Sequence, residues 1–327
     1  MKQCIQFLLK IILILVGICV PKAQDSLFIY EERFDSVLPQ SLSNSIEIAD
    51  INNDNINDIF ISGYDSSRFG IFLDVLKGNS DGTISVLSQS NIITFPDTIA
   101  QYVGGIGNID LVDVNRDGWI DAYLNGSAAS KLYINSSGSL SLSNNWFPSI
   151  NLSYSSGKWG DVNMDGAPDL FMMGVNEYTN QIINELYLNN GTNLEIDPNT
   201  IFPSLINGSN AWGDYDNDGD KDLIICGRIA DKTASITRFY KNDPIGRLTE
   251  LTTAEGIPGI KAGAFKFVDL DSDGDQDLIV SGWNKIENKL ITRIMKNEPL
   301  GTYTPFENQI NFAVAYGTID AIDYNLD

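Results

Sequence analysis

The sequence predicts an all-β chain, a β-propeller of four-stranded blades. Three observations lead there: an acidic pattern recurring at a spacing near fifty residues, β-branched and aromatic runs placed alike in every repeat, and no window with a helical period. The pattern reads "DINNDNINDIFISG" from Asp50, "DVNRDGWIDAYLNG" from Asp113, "DVNMDGAPDLFMMG" from Asp161, "DYDNDGDKDLIICG" from Asp214 and "DLDSDGDQDLIVSG" from Asp269. Successive starts lie 63, 48, 53 and 55 residues apart, and a sixth begins at Asp323 as "DYNLD". Four antiparallel strands in about fifty residues are the arithmetic of a propeller blade.

The elements follow in order. Residues 1–24 carry Lys2 and Lys10, an apolar run from Ile11 to Val20 and a short polar exit, the layout of a secretory signal peptide rather than a membrane span. Residues 25–327 are then the propeller, with five full repeats and the start of a sixth, incomplete at its C-terminal end. Leu27–Phe34 reads as a stray fourth strand of the kind that closes a ring. In each repeat a short apolar stretch leads into the acidic loop (Ser45–Ala49, Asp110–Val112, Phe265–Val268) and a strand such as "DIFIS", "DLFMM" or "DLIVS" follows it. A third strand comes as "KLYIN", "ELYLN", "RFYKN" or "RIMKN", and a weaker fourth as "TISVLS" or "LTELT".

Composition excludes several functions. The formal charge is −22, and it becomes −25 once Lys2, Lys10 and Lys22 leave with the signal peptide. Such acidity argues against nucleic acid or an anionic membrane as partner, and no membrane insertion is expected after signal cleavage. The chain has no histidine, which removes Ser-His-Asp and Cys-His nucleophile systems, His-ligated zinc and His acid–base work. Only Cys226 remains in the mature chain, so no internal disulfide holds it; lying in an apolar run, Cys226 reads as a buried hydrophobe.

The loops supply another kind of cross-link. Oxygen-bearing side chains occupy positions 1, 3, 5 and 9 of each: Asp50, Asn52, Asp54 and Asp58; Asp113, Asn115, Asp117 and Asp121; Asp161, Asn163, Asp165 and Asp169; Asp214, Asp216, Asp218 and Asp222; Asp269, Asp271, Asp273 and Asp277. Position 6 is Gly in four loops and Asn55 in the first, as a positive φ there requires. Hard oxygens in this number suit Ca²⁺, with a backbone carbonyl expected from position 7. Position 12, where an EF-hand needs a bidentate Glu, is Ile61, Leu124, Met172, Ile225 or Val280, so these are not EF-hands. About five structural Ca²⁺ sites are therefore expected, since acids clustered without a cation repel one another.

These residues resemble the FG-GAP/VCBS repeats, calcium-loop propeller repeats also found in the integrin α-subunit head. The resemblance rests on "DxDxDGxxDL" at blade spacing and on the "WGD" steps at Trp159–Asp161 and Trp212–Asp214. It implies a ring commonly of seven blades, on secreted or cell-surface proteins that adhere, recognise glycans or accompany polysaccharide-degrading domains. With the metals on one face, the opposite face presents the aromatics Tyr64, Trp146, Tyr178 and Trp283 as candidate contacts for a sugar or a partner loop. Trp159 and Trp212 are expected in the packing between blades. The expected function is a secreted or cell-surface, calcium-binding, non-catalytic adhesion or recognition module for a glycan or extracellular protein ligand. The alternatives are a polysaccharide lyase, or the accessory propeller of one, and a structural spacer.

Overall fold

The computed structural model describes residues 42–65, 70–94, 108–125, 130–143, 146, 150, 152–231, 234–251, 256–306 and 319. The signal-peptide segment, the Leu27–Phe34 stretch and the sixth loop lie outside them. Among the described residues there are twenty strands and no helix. They form five four-stranded antiparallel sheets, each running through its strands in chain order. The first sheet holds β1 (Leu42–Ala49), β2 (Asp58–Asp65), β3 (Gly70–Gly78) and β4 (Ile84–Thr94), and the second holds β5 (Asn108–Val112), β6 (Asp121–Asn125), β7 (Lys131–Ser136) and β8 (Ser139–Leu142). The third holds β9 (Leu152–Gly160), β10 (Asp169–Asn176), β11 (Ile182–Asn189) and β12 (Leu194–Ile196). The fourth holds β13 (Leu205–Gly213), β14 (Asp222–Ile229), β15 (Ser235–Asn242) and β16 (Leu248–Leu251), and the fifth β17 (Ile260–Val268), β18 (Asp277–Asn284), β19 (Lys289–Asn297) and β20 (Tyr303–Pro305). First strands of successive sheets pack side by side, β1 on β5, β5 on β9, β9 on β13 and β13 on β17, which is the arrangement of propeller blades.

Among the described residues four core clusters lie between successive blades, and a fifth, of Ile61, Phe72 and Leu76, is confined to the first sheet. Along β10, Phe171 and Met173 pack toward the fourth sheet while Leu170 and Met172 pack toward the second. A strand buried on both faces reads as an unbroken apolar run, which is why "DLFMM" and "DLIIC" show no alternation. Each fully buried Leu, Phe or Met side chain contributes about 1.5–3 kcal/mol of hydrophobic stabilisation. Cys226 is buried in the same kind of layer, between the fourth and fifth sheets, as its sequence context predicts.

The "WGD" steps have a packing reason. A Cβ at Gly160 would come within 2.7 Å of the Trp212 ring, and one at Gly213 within 2.3 Å of Phe267. Each of these glycines is therefore the floor on which the next blade's aromatic rests, and Trp212 also donates from Nε1 to the Lys158 carbonyl at 3.0 Å. Trp159 and Trp212 both pack against the clusters between blades. The first strands are also tied by charge: Lys158 of β9 reaches Asp110 of β5 at 2.8 Å and Glu47 of β1 at 3.6 Å.

A second tie recurs at each of the four junctions among the described residues and rests on an asparagine at the last or next-to-last position of the third strand. The Nδ2 groups of Asn135, Asn189, Asn242 and Asn297 donate to the carbonyls of Ile51, Val114, Val162 and Tyr215, at 2.9, 3.0, 2.6 and 2.7 Å. Each acceptor is position 2 of the preceding blade's acidic loop. The same asparagines accept at Oδ1 from Gly138, Gly191, Gly246 and Gly301, all at 2.8 Å, closing their own turn. One buried amide thus closes one blade's last hairpin and fastens it to the loop of its neighbour. Replacing Asn242 by Ala removes its bonds to the Val162 carbonyl and the Gly246 N–H, which keep only their 3.1 Å bond to each other, an expected loss of about 1–3 kcal/mol. Urea unfolding should show this as a lower midpoint with an unchanged m-value.

Candidate metal centres

The acidic loops join the first and second strands of each sheet, as expected. Their backbone is set by the acids themselves. The position-1 carboxylate accepts from the position-6 N–H in all five loops: Asn55 to Asp50 at 2.6 Å, Gly118 to Asp113 at 2.8 Å, Gly166 to Asp161 and Gly219 to Asp214 at 2.9 Å, and Gly274 to Asp269 at 3.0 Å. Position 6 takes φ between 64° at Asn55 and 96° at Gly219, as the composition predicts. Position 4 also takes positive φ, at Asn53, Arg116, Met164, Asn217 and Ser272, which no shared residue type announces. From there side chains bridge to the next loop: Asn53 donates to the Gly118 carbonyl at 3.2 Å and Arg116 to the Asp165 carbonyl at 3.1 Å.

The position-9 aspartates do more than the sequence suggested. Asp58, Asp121, Asp169, Asp222 and Asp277 are fully buried. Each accepts at Oδ2 from the position-2 N–H of its own loop (Ile51, Val114, Val162, Tyr215, Leu270) at 2.9–3.0 Å. Each accepts at Oδ1 from the end of its third strand (Gly78, Asn135, Asn189, Asn242, Asn297) at 2.7–2.9 Å. These carboxylates bind loop to strand whatever else they hold. Burial pushes Asp121, Asp169 and Asp222 up to about 6 against the pull of those N–H donors, and it raises Asp277 as well.

The loops differ in how the remaining acids are balanced. In the second and third, the position-3 amide turns onto the position-5 carboxylate: Asn115 to Asp117 at 3.0 Å and Asn163 to Asp165 at 3.1 Å. In the first, Lys77 meets Asp54 at 2.8 Å and holds it below the usual carboxylate range. The fourth and fifth carry full triads. Asp214, Asp216 and Asp218, and likewise Asp269, Asp271 and Asp273, each bring three carboxylate oxygens within 4.8 Å of one another, so each triad could hold a metal ion. The fourth loop fits a cation best, because two of its carboxylate oxygens, Oδ1 of Asp216 and of Asp220, are buried with no hydrogen-bond partner. Asp220, at position 7, is itself 6% exposed. Burial and the neighbouring Asp218 and Asp222 push it up to about 7.

The candidate ligand residues are spread out. Tyr178 stands on the β10–β11 hairpin and is 78% exposed. Trp283 lies near the end of β18, half-buried, its backbone paired with Lys261 and Leu290. Trp146, in the β8–β9 connection, packs against the cluster between the second and third blades, and its carbonyl accepts from Leu194 at 3.3 Å. The backbone of Tyr64 is in β2, and its side chain lies outside the described residues. Sequence reasoning missed the third-strand asparagines and the lysines beside them, although "KLYIN", "ELYLN", "RFYKN" and "RIMKN" all end on Asn.

Blades of four antiparallel strands, each opened by an acidic loop and fastened to the next through that loop, define a repeat protein of the propeller class. The particular repeat is the FG-GAP-like repeat: its family model matches residues 113–172 and 161–225, each match starting on the first acid of a loop, and the chain carries FG-GAP-like repeats there. No curated protein sequence matches the chain. Among solved structures, an Agrocybe aegerita lectin described by its specific recognition of non-reducing terminal N-acetylglucosamine is similar at 16% identity and a TM-score of 0.44, over 80% of this chain and 65% of that one. An endo-1,4-beta-xylanase of Bacteroides thetaiotaomicron is similar at 10% identity and a TM-score of 0.43, over 86% of this chain and 97% of that one. The V. cholerae biofilm matrix protein Bap1 is similar at 13% identity and a TM-score of 0.41, over 82% of this chain. The chain spans 65% of the lectin and 39% of the matrix protein.

The raised acids predict a pH dependence for the metal-free protein. An aspartate whose folded pKa is about 6 against an ordinary 3.8 takes up its proton more readily folded than unfolded. Stability is therefore lost as pH rises from 3.8 to about 6, and the loss is complete above that. Thermal melts in chelator should fall across this window on account of Asp121, Asp169 and Asp222. Saturating Ca²⁺, which favours the ionised acids, should flatten or reverse the slope.

Proposed function

We propose that the chain is a secreted or cell-surface propeller, stabilised by calcium, that serves as a non-catalytic recognition module for a glycan or an extracellular protein. The observation that carries the reading is the separation of its two edges. All five acidic loops, and the third-to-fourth-strand turns that rest on them, lie at one end of the strands. The exposed Tyr178 lies at the other. The loop edge is committed to holding blades together, which leaves the opposite edge for a partner. An aromatic face among Asn and Thr residues suits a sugar ring or a peptide loop.

In this reading Ca²⁺ sits among Asp214, Asp216, Asp218 and Asp222 in the fourth loop and Asp269, Asp271, Asp273 and Asp277 in the fifth. The corresponding side chains of the first three loops hold it with Asn52, Asn115 and Asn163 in place of one acid. The ion supplies compact positive charge where the loops concentrate carboxylates, and it cross-links each first hairpin where the described residues carry a single, free cysteine. A non-catalytic role draws support from several of the lysines and tyrosines that a lyase would need as bases. Lys77, Lys241 and Lys296 are raised by Asp54, Asp216 and Asp271, and Tyr123, Tyr187, Tyr240 and Tyr303 are raised by burial. Both shifts run opposite to the activation of a general base at neutral pH.

Chelation should lower the melting temperature, and added Ca²⁺ should restore it. Each site contributes about 2.7 kcal/mol when free Ca²⁺ stands at a hundred times its Kd, and a melt indifferent to chelator would sink the calcium reading. For recognition, binding to a glycan array should be lost in Tyr178→Ala or Trp283→Ala and kept in Asp273→Ala at saturating Ca²⁺. Equal loss in all three would move the ligand to the loop edge.

A further inference from the structure

Every acidic loop has a nitrogen donor turned onto its outer carboxylates, and it comes from position 3 or from the third strand. In the first loop it is Lys77 of the third strand, on Asp54 at 2.8 Å, although position 3 is Asn52. In the second and third loops it is the position-3 amide, and the third-strand residue alongside is apolar, Ile134 or Leu188. In the fourth and fifth loops position 3 is an aspartate, and the third strand supplies a lysine at the equivalent place. Lys241 reaches Asp216 Oδ2 at 2.5 Å and Asp218 Oδ2 at 3.4 Å. Lys296 reaches Asp271 Oδ2 at 2.6 Å and Asp273 Oδ2 at 3.6 Å. Both lysines also touch an acid outside the loop, two residues further along the chain: Asp243 at 3.6 Å and Glu298 at 2.6 Å.

We propose that Lys241 and Lys296 are built-in counter-ions of the fourth and fifth loops, and that metal binding there is an exchange in which each ammonium leaves the loop for Asp243 or Glu298. The inference rests on the calcium reading. An ammonium 2.5–2.6 Å from a position-3 oxygen stands on the same carboxylates that would hold a Ca²⁺ ion. Two cations on the same carboxylates repel one another, which favours departure of the ammonium. The lysine stem is anchored in the third strand and its head is flexible, so the head moves while the strand stays. Asp243 and Glu298 lie beyond the loop, at the start of the next turn, and give the displaced charge a partner. The device has two consequences of opposite sign: it supports the loop without metal, and it sets calcium affinity below what four carboxylates would otherwise give. The second and third loops, with no ammonium to displace, lack that penalty.

The test is a chelator-competition titration of the purified full chain with Ca²⁺, paired with melts of its calcium-free form, on Lys241→Met/Lys296→Met and on Asp243→Asn/Glu298→Gln. The lysine variant should tighten two of the calcium-binding steps by roughly tenfold each while its calcium-free form melts lower than wild type. The second variant, which removes only the acids that receive the lysines, should weaken the same two steps, and this effect should largely vanish in the Lys→Met background. Weaker or unchanged calcium binding in the lysine variant overturns the exchange, as does a weakening by Asp243→Asn/Glu298→Gln that persists without the lysines. If neither wild type nor lysine variant binds calcium, the calcium reading falls and the exchange with it. Calcium binding by the lysine variant alone would be the exchange in its strongest form.

Discussion

A buried carboxylate at position 9 of each repeat is the group on which the rest depends. It has no exposure to solvent, so its charge is held by two backbone N–H groups, one from the acidic loop and one from the far end of the third strand. That pair of bonds sets the loop against its own sheet. In the last four blades the strand donor is an asparagine whose side chain then reaches the preceding loop. A continuous line of Asp, Asn and loop carbonyl therefore runs from blade to blade, parallel to the apolar layers that supply most of the burial.

The same arrangement accounts for the acidity. Anionic side chains are used as acceptors for backbone N–H groups at positions 1, 5 and 9, which makes tight loops without relying on glycine alone. The consequence is a concentration of like charge that the chain offsets locally, by an amide in two loops and by a lysine in three. The fourth loop is the extreme case, since Asp220 adds a further buried carboxylate with an oxygen that meets no donor. A cation is worth more there than in loops that an amide already satisfies.

The division between a loop edge and a hairpin edge also follows from the strand order. A four-stranded meander puts its first and third connections at one end and its second connection at the other, so acids repeated in the first connection gather together. The third-to-fourth turns of following blades cover them, with Gly138, Gly246 and Gly301 resting against Asn52, Asn163 and Tyr215. Side chains on the second connection, such as Tyr178, are free of this duty.

The period of the acidic pattern, the strand runs beside it and the turn chemistry of position 6 were enough by themselves to determine the all-β blade, the loop between its first two strands and the side chains that converge there. These are local properties, set within a dozen residues. Burial of Cys226 and the packing of Trp159 and Trp212 against the layers between blades were legible for a related reason, since apolar or aromatic residues flanked by strand signals have few other places to go. Tertiary structure alone decided what spans blades: that position-9 aspartates are structural clasps, that Asn135 reaches a carbonyl 84 residues away and Asn297 one 82 away, that Trp146 packs into a junction, and that lysines of the third strand enter the loops of the fourth and fifth blades. A residue's partner across a repeat is fixed by the angle at which sheets pack. Nothing within one repeat's own sequence encodes that angle.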